Sequence, residues 1–198
     1  MNDIRLLMMD LGLVLIDLEI ENFHQAVYRK TGENHIIANR PLHHRYMAGE
    51  FTEKQLRQIL MEKYNLSLSA VEFPDFWSQM LGKDRSEVIS LVRKAGRKFK
   101  TAVCSNTDAT HIDFLKREQS KAIGFFDYYC YSFEMGVVKP DPTFFKKALN
   151  ITGFQPQNCL FIDDNEENII TALKMGINAV HTPKESDVIK ALNGLLEE

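Results

Sequence analysis

The chain has 198 residues, with 24 basic and 27 acidic side chains and a formal net charge of −3. That length gives about one to two domains with a substantial buried core, and the balanced charge makes no electrostatic case for a nucleic-acid partner. Hydrophobic residues are 44% and charged residues 26%, ordinary for a soluble globular protein; no apolar stretch reaches the roughly 20 residues that span a bilayer.

The start, Met1-Asn2-Asp3-Ile4-Arg5, reads as lacking a secretory signal, because the apolar run after it is broken at Asp10. That run, Ile4-Arg5-Leu6-Leu7-Met8-Met9, is compact and reads as a first strand. From Asp17 to about Glu87 the character changes. Residues 19–31 carry helical apolar spacing at Ile20, Phe23 and Val27 and stop at Gly32. Thr52 with Gln55 forms a capping-box pattern opening a helix over 53–64. Residues 71–81, with Phe73, Phe76, Trp77 and Leu81, read as a further helix, and Trp77 as part of the insert's core. No period-two alternation appears here, so 17–87 reads as a small helical bundle placed between two strands of a core formed by 1–16 and 88–198.

After a core helix over 88–97, strand and helix signals alternate: strands at 101–104, 128–132, 159–163 and 179–181, helices at 110–116, 142–149, 166–175 and 185–196. Alternation of this kind predicts an α/β fold, a Rossmann-like parallel sheet covered by helices. Cys104, Cys130 and Cys159 fall in or near predicted strands without metal-type spacing, which fits reduced core thiols in a cytoplasmic protein.

The chemistry gathers where strands stop. Asp163 and Asp164 end the apolar run Cys159-Leu160-Phe161-Ile162 and precede Asn165-Glu166-Glu167-Asn168. Two adjacent carboxylates at a buried strand end repel each other unless a cation joins them. Oxygen ligands of this kind favour magnesium; a helix N-cap is the alternative reading. The first strand stops at Asp10, the 101–104 strand at Ser105-Asn106-Thr107-Asp108, and a proline-stiffened loop carries Lys139-Pro140-Asp141. Ligands of open α/β sheets sit beyond the carboxyl ends of parallel strands. If these strands are neighbours, Asp10, Ser105, Lys139 and Asp163/Asp164 converge as a carboxylate nucleophile, a hydroxyl donor, a fixed cation and metal ligands, a set suited to attack on phosphorus.

These stretches, in this order and at strand ends, resemble the four motifs of the haloacid dehalogenase-like (HAD) hydrolase superfamily: Asp10-Leu11-Gly12-Leu13-Val14, Ser105-Asn106-Thr107, Lys139-Pro140-Asp141 and Asp163-Asp164-Asn165. The likeness spans nearly the whole chain and is nearest to the branch containing a bacterial α-D-glucose-1-phosphate phosphatase. It implies a magnesium-dependent phosphatase of subfamily IA acting on a small phosphorylated metabolite, with the helical insert as a C1-type cap hinged near 17–19 and 83–87. It implies Asp10 as nucleophile, and Ser105, Asn106 and Lys139 as phosphate-binding residues. Metal ligation then falls to Asp10, Asp164, Asp163 and the backbone carbonyl of Gly12. Gly12 departs from the usual pattern, since most phosphatases of the superfamily carry there an aspartate that protonates the leaving group. The departure keeps two alternatives in view. One is a 2-haloacid dehalogenase, whose metal-free chemistry the Asp163-Asp164 pair counts against; the other is a non-catalytic phosphate-binding or regulatory protein. His43, His44 and Arg45 read as a polar helix face, adjacent histidines on a helix diverging by about 100°. His24, His35, His111 and His181 have no supporting context in the sequence.

Overall fold

A computed structural model describes residues 3–38 and 40–197. Met1, Asn2, Asn39 and Glu198 lie outside them, and with them the first two residues of the N-terminal segment read above. The chain begins with β1 (Leu6–Met9) and enters an insert through β2 (Ile16–Leu18). The insert holds α1 (Ile20–Thr31), α2 (Pro41–Met47), α3 (Glu53–Tyr64) and α4 (Phe73–Trp77). It ends in β3 (Leu81–Asp84). The remainder alternates: α5 (Ser86–Ala95), β4 (Lys100–Ser105), α6 (Ala109–Arg117), β5 (Tyr128–Tyr131), α7 (Ser132–Met135) and α8 (Pro142–Thr152), then β6 (Cys159–Asp163), α9 (Glu166–Lys174), β7 (Asn178–His181) and α10 (Glu185–Glu197).

Five strands form one parallel sheet in the order β5-β4-β1-β6-β7, which is the Rossmann-like α/β architecture expected. β1 lies at its centre, and all four of its side chains are buried. A strand covered on both faces has no reason to alternate polar with apolar, which is why Leu-Leu-Met-Met reads as a continuous run. The pleat still divides it: Leu7 and Met9 join one core cluster with Val103, Leu160 and Ile162, while Leu6 and Met8 join another with Ala102, Cys104 and Phe161. Cys104, Cys130 and Cys159 are free and buried. Among the described residues, no helix is long and apolar enough to cross a membrane.

The insert has its own hydrophobic cluster, built from Phe23, Val27, Leu56, Leu60, Phe73 and Trp77 among others. The Thr52 capping box forms: Thr52 Oγ1 accepts from Gln55 N at 3.3 Å and Thr52 N donates to Gln55 Oε1 at 2.8 Å. Two expectations fail here. Residues 71–81 are not one helix: α4 gives way to a 3-10 turn at Ser78–Met80 and then to β3. Nor is the insert wholly helical, because β2 and β3 pair antiparallel at its stem. A Cβ added at Gly82 would stand 2.8 Å from Asp17 Cβ and 2.9 Å from Asp17 O, so only glycine lets these strands meet. Strands of three and four residues are too short for a periodicity to register. Arg85 closes the stem, donating from Nε to Asp17 Oδ1 at 2.8 Å and from a terminal nitrogen to Leu13 O.

Candidate active site

Sheet register brings the carboxylates together. Met9 lies level with Val103 on one side and Ile162 on the other, so the next residues along β1 and β6, Asp10 and Asp163, emerge side by side. Asp10 N donates to Ile162 O at 3.0 Å, fixing the offset. Oxygen atoms of Asp10, Asp163 and Asp164 all lie within 4.8 Å of one another.

Lys139 enters from the loop before α8 and is 4% exposed. Its Nζ stands 2.8 Å from Asp10 Oδ1 and 2.6 Å from Asp163 Oδ2. Burial on its own would lower the lysine pKa, but Asp10 and Asp163 outweigh it and hold it raised, so Lys139 stays charged. Asp10 goes the other way. Burial lifts its carboxyl to about 7, Asp163 and Asp164 add to the rise, and Lys139 opposes it. Asp164 is likewise raised, by burial and then by Asp163. Three carboxylates facing one ammonium leave an excess of negative charge, an environment that fits a divalent cation held by oxygen ligands.

Asp163 is fully buried and its oxygens are already supplied with donors. Besides Lys139, Asn165 N donates to Oδ1 at 2.8 Å, and Asn168 Nδ2 lies 3.0 Å from each oxygen. Asn168 is a site residue that the sequence reading missed; its position in the first turn of α9, one turn beyond the Asp pair, is the signal that could have found it. The alternative reading of the Asp pair as a helix cap is settled by geometry, since Asn165 caps α9, accepting from Glu167 N at 2.9 Å. Asp108 caps α6, accepting from His111 N at 3.0 Å.

Ser105 is buried at the end of β4. The side chain of Asn106 is engaged with the Lys139 backbone. Its Nδ2 donates to Lys139 O at 2.9 Å and its Oδ1 accepts from Lys139 N at 2.7 Å. The amide is spent on clamping the lysine's backbone. Gly12 sits two residues past Asp10, where the chain turns back through Leu13 N to Ile16 O at 2.7 Å. A Cβ at Gly12 would meet Leu18 Cδ1 at 3.2 Å. The direction in which a side chain at this position would grow is therefore walled by an aliphatic residue of β2.

A cavity of about 80 Å³ borders Gly12, Ser105 and Asn106, with Leu18, His43 and His111 also in its wall. A larger one, about 420 Å³, lies between the insert and α6 beside Tyr46, Thr110 and Arg117, and neither lining includes any of the three carboxylates. The histidines correct the sequence reading. His44 and Arg45 are exposed as expected, but His43 is 4% exposed. Burial, then His111 and His44, hold its pKa down to about 3. His111 does have a context: its Nδ1 lies 3.1 Å from Asp108 Oδ2, which also accepts from Trp77 Nε1 at 3.1 Å, and its Nε2 lies 3.4 Å from Trp77 O. His43, Asp108 and His111 bring ligand-type atoms within 4.8 Å, but Asp108 and His111 are already bonded to each other and to Trp77. They interlock the insert with α6, as does Tyr46 Oη, 2.6 Å from Thr110 Oγ1. His181 also gains a partner, its Nε2 lying 2.8 Å from Asp164 O.

An acidic cluster with a buried lysine, at the carboxyl end of a parallel sheet and beneath a helical insert, defines a class of hydrolase. A family model, haloacid dehalogenase-like hydrolase, matches residues 12–176, and the chain belongs to that family. Over 99% of its length, and 99% of the other chain, it superposes on a predicted HAD-like family hydrolase from Porphyromonas gingivalis with a TM-score of 0.89 at 24% identity. A HAD family enzyme from Bacteroides thetaiotaomicron, crystallised as an aspartate-to-alanine mutant with magnesium and inorganic phosphate, matches with a TM-score of 0.82 at 25% identity, covering 90% of this chain and 93% of that one. Mouse acyl-CoA dehydrogenase family member 10 is 29% identical over 113 residues, 56% of this chain; the match spans 10% of that protein.

Proposed function

We propose that this hydrolase is a magnesium-dependent phosphatase that transfers the phosphoryl group of a small metabolite to Asp10 and then to water. The observation that carries the reading is the meeting of Asp10, Asp163 and Asp164 within 4.8 Å around a buried Lys139. Asp10, Asp164, Asp163 and the Gly12 carbonyl are the groups that would hold magnesium, which when bound draws charge from the phosphoryl oxygens. The magnesium and phosphate held by the Bacteroides thetaiotaomicron relative support the same reading.

The chain's own groups supply the rest. Lys139 holds Asp10 in line and offsets phosphoryl charge. Asn106 keeps the Lys139 backbone in place, and Ser105 offers a hydroxyl to a phosphoryl oxygen. An Asp10 oxygen attacks phosphorus, the bond to the leaving oxygen breaks, and that oxygen keeps the electron pair. Water then attacks the aspartyl phosphate, releasing inorganic phosphate and restoring the carboxylate. The helical insert acts as a cap of the C1 type that covers the site and excludes water, with the β2–β3 ribbon as its stem.

Gly12 leaves the departing oxygen without a nearby acid, so acidic leaving groups are favoured. This supports a place near the α-D-glucose-1-phosphate phosphatase branch, since an anomeric hydroxyl is more acidic than a primary one: hexose 1-phosphates should outrun hexose 6-phosphates. The test is phosphate release from p-nitrophenyl phosphate with magnesium and with excess chelator. Full activity in chelator would defeat the metal reading.

A further inference from the structure

Arg85 stands where the chain returns from the insert to the core, between β3 and α5. It reaches across the stem and meets the outgoing connection at alternate residues. Its backbone N–H donates to Leu15 O at 2.8 Å, its Nε donates to Asp17 Oδ1 at 2.8 Å, and a terminal guanidinium nitrogen donates to Leu13 O. The bond to Leu13 holds a strained residue. Leu13 has φ +56°, a left-handed conformation that a leucine keeps only where its surroundings fix it. Leu13 is 36% exposed, so packing alone does not fix it. Hydrogen bonds do, one from Leu13 N to Ile16 O at 2.7 Å and the other from Arg85 to the Leu13 carbonyl. The Leu13 N–H and the Gly12 carbonyl share one planar peptide unit, so whatever fixes Leu13 also aims that carbonyl.

We propose that Arg85 is a positioning residue for the metal site: from the far side of the stem it locks the Leu13 turn and so directs the Gly12 carbonyl at magnesium. This rests on the magnesium reading and deepens it, by naming a residue outside the four acidic and basic segments on which metal affinity depends. Electrostatics alone would give Arg85 the opposite effect. Burial and Asp163 raise the Asp164 carboxyl, and Lys139 and Arg85 oppose them, so the guanidinium charge is felt at the metal ligands. As a bare charge it would repel a divalent cation, and its removal would tighten binding. As a positioning group its removal must weaken binding. The sign of the change separates the two roles.

The test is calorimetric titration with magnesium of the wild type, Arg85→Ala and Arg85→Lys, at a temperature where circular dichroism shows each to be folded. Arg85→Ala should weaken binding by about 10-fold or more, as for other groups that orient metal ligands. Arg85→Lys should fall between, because one ammonium keeps the charge but cannot fork to Asp17 and Leu13 together. In p-nitrophenyl phosphate hydrolysis the loss should appear in the magnesium concentration for half-maximal rate rather than in kcat at saturating magnesium. Binding in Arg85→Ala as tight as in the wild type, or tighter, overturns the proposal, as does a loss confined to kcat. If Arg85→Ala does not fold, Arg85→Lys decides alone, and wild-type affinity there overturns the proposal. Wild-type protein that takes up no magnesium would instead overturn the metal reading beneath it.

Discussion

Lys139 Nζ lies 2.8 Å from Asp10 Oδ1, and the two charges meet where the lysine side chain is 1% and the aspartate side chain 13% exposed. In so dry a site the ammonium both orients the carboxylate and keeps it reactive. Asp10→Asn preserves size and shape but cannot form an aspartyl phosphate. The expected outcome is a folded protein with turnover reduced to background. Activity above a few per cent of wild type in a phosphate-release assay would remove Asp10 from the nucleophile role.

The pKa of Asp10 sets a pH dependence. Its folded value, about 7, lies above the ordinary carboxylate value of 3.8. The folded state therefore binds a proton that the unfolded state has released, and the stability this gives is full below about pH 4 and lost as pH rises through 7. Thermal unfolding in chelator should show a falling Tm between pH 5 and 8, with a shallower fall in Asp10→Asn. Excess magnesium should restore most of the loss at pH 8. Parallel profiles for wild type and variant would contradict the raised value.

His43 gives the opposite sign. Its folded value of about 3 lies below the ordinary 6.5, so the unfolded chain binds the proton and stability is lost as pH falls below about 6.5. At pH 5 the cost is on the order of 2 kcal/mol. His43→Gln, which removes the titration, should flatten the acid side of the stability curve measured by urea denaturation. An unchanged acid slope would place the His43 imidazole in a wetter setting than its 4% exposure implies.

Asn168 holds both oxygens of Asp163 at 3.0 Å. Asn168→Ala should leave a buried carboxylate short of donors, costing about 1–3 kcal/mol of stability. If Asp163 helps to hold magnesium, the concentration needed for half-maximal activity should rise by about 10-fold or more, as for other groups that orient metal ligands. Calorimetric titration with magnesium checks the second effect separately from the first.

Gly12→Asp tests the missing acid. Where an acid is well placed, general acid help contributes roughly 10²–10⁴ in rate, but Leu18 Cδ1 would stand 3.2 Å from the new Cβ. The flexible end of Leu18 must yield, so the gain on alkyl phosphates should be small in Gly12→Asp and larger in Gly12→Asp combined with Leu18→Ala. A series of phosphomonoesters, plotted against leaving-group acidity, should flatten in the double variant. A wild-type plot that is already flat would mean another group supplies the proton.

The sequence alone determined the strands of the sheet and the acidic residues at their ends, because these depend on local signals. Runs such as Leu6-Leu7-Met8-Met9 and Cys159-Leu160-Phe161-Ile162 are too apolar to sit anywhere but between two layers of helices, and a strand that ends in aspartate marks where solvent and ligand begin. That Asp10, Ser105, Lys139 and Asp163-Asp164 meet depended on the strands being neighbours, and the order β5-β4-β1-β6-β7 makes them so. The tertiary structure alone decided which polar groups serve which partners. Asn106 was legible as a site residue but not as the clamp on the Lys139 backbone, since that pairing joins positions 33 residues apart. The move of His43 from a polar helix face, and of His111 from no context at all, into a cavity wall has the same cause. Burial is a property of how the insert lies against α6, and neither residue's neighbours in sequence carry that information. The β2–β3 stem escaped notice because its two short strands pair only with each other, through a glycine whose necessity is visible only when Asp17 is 2.8 Å away.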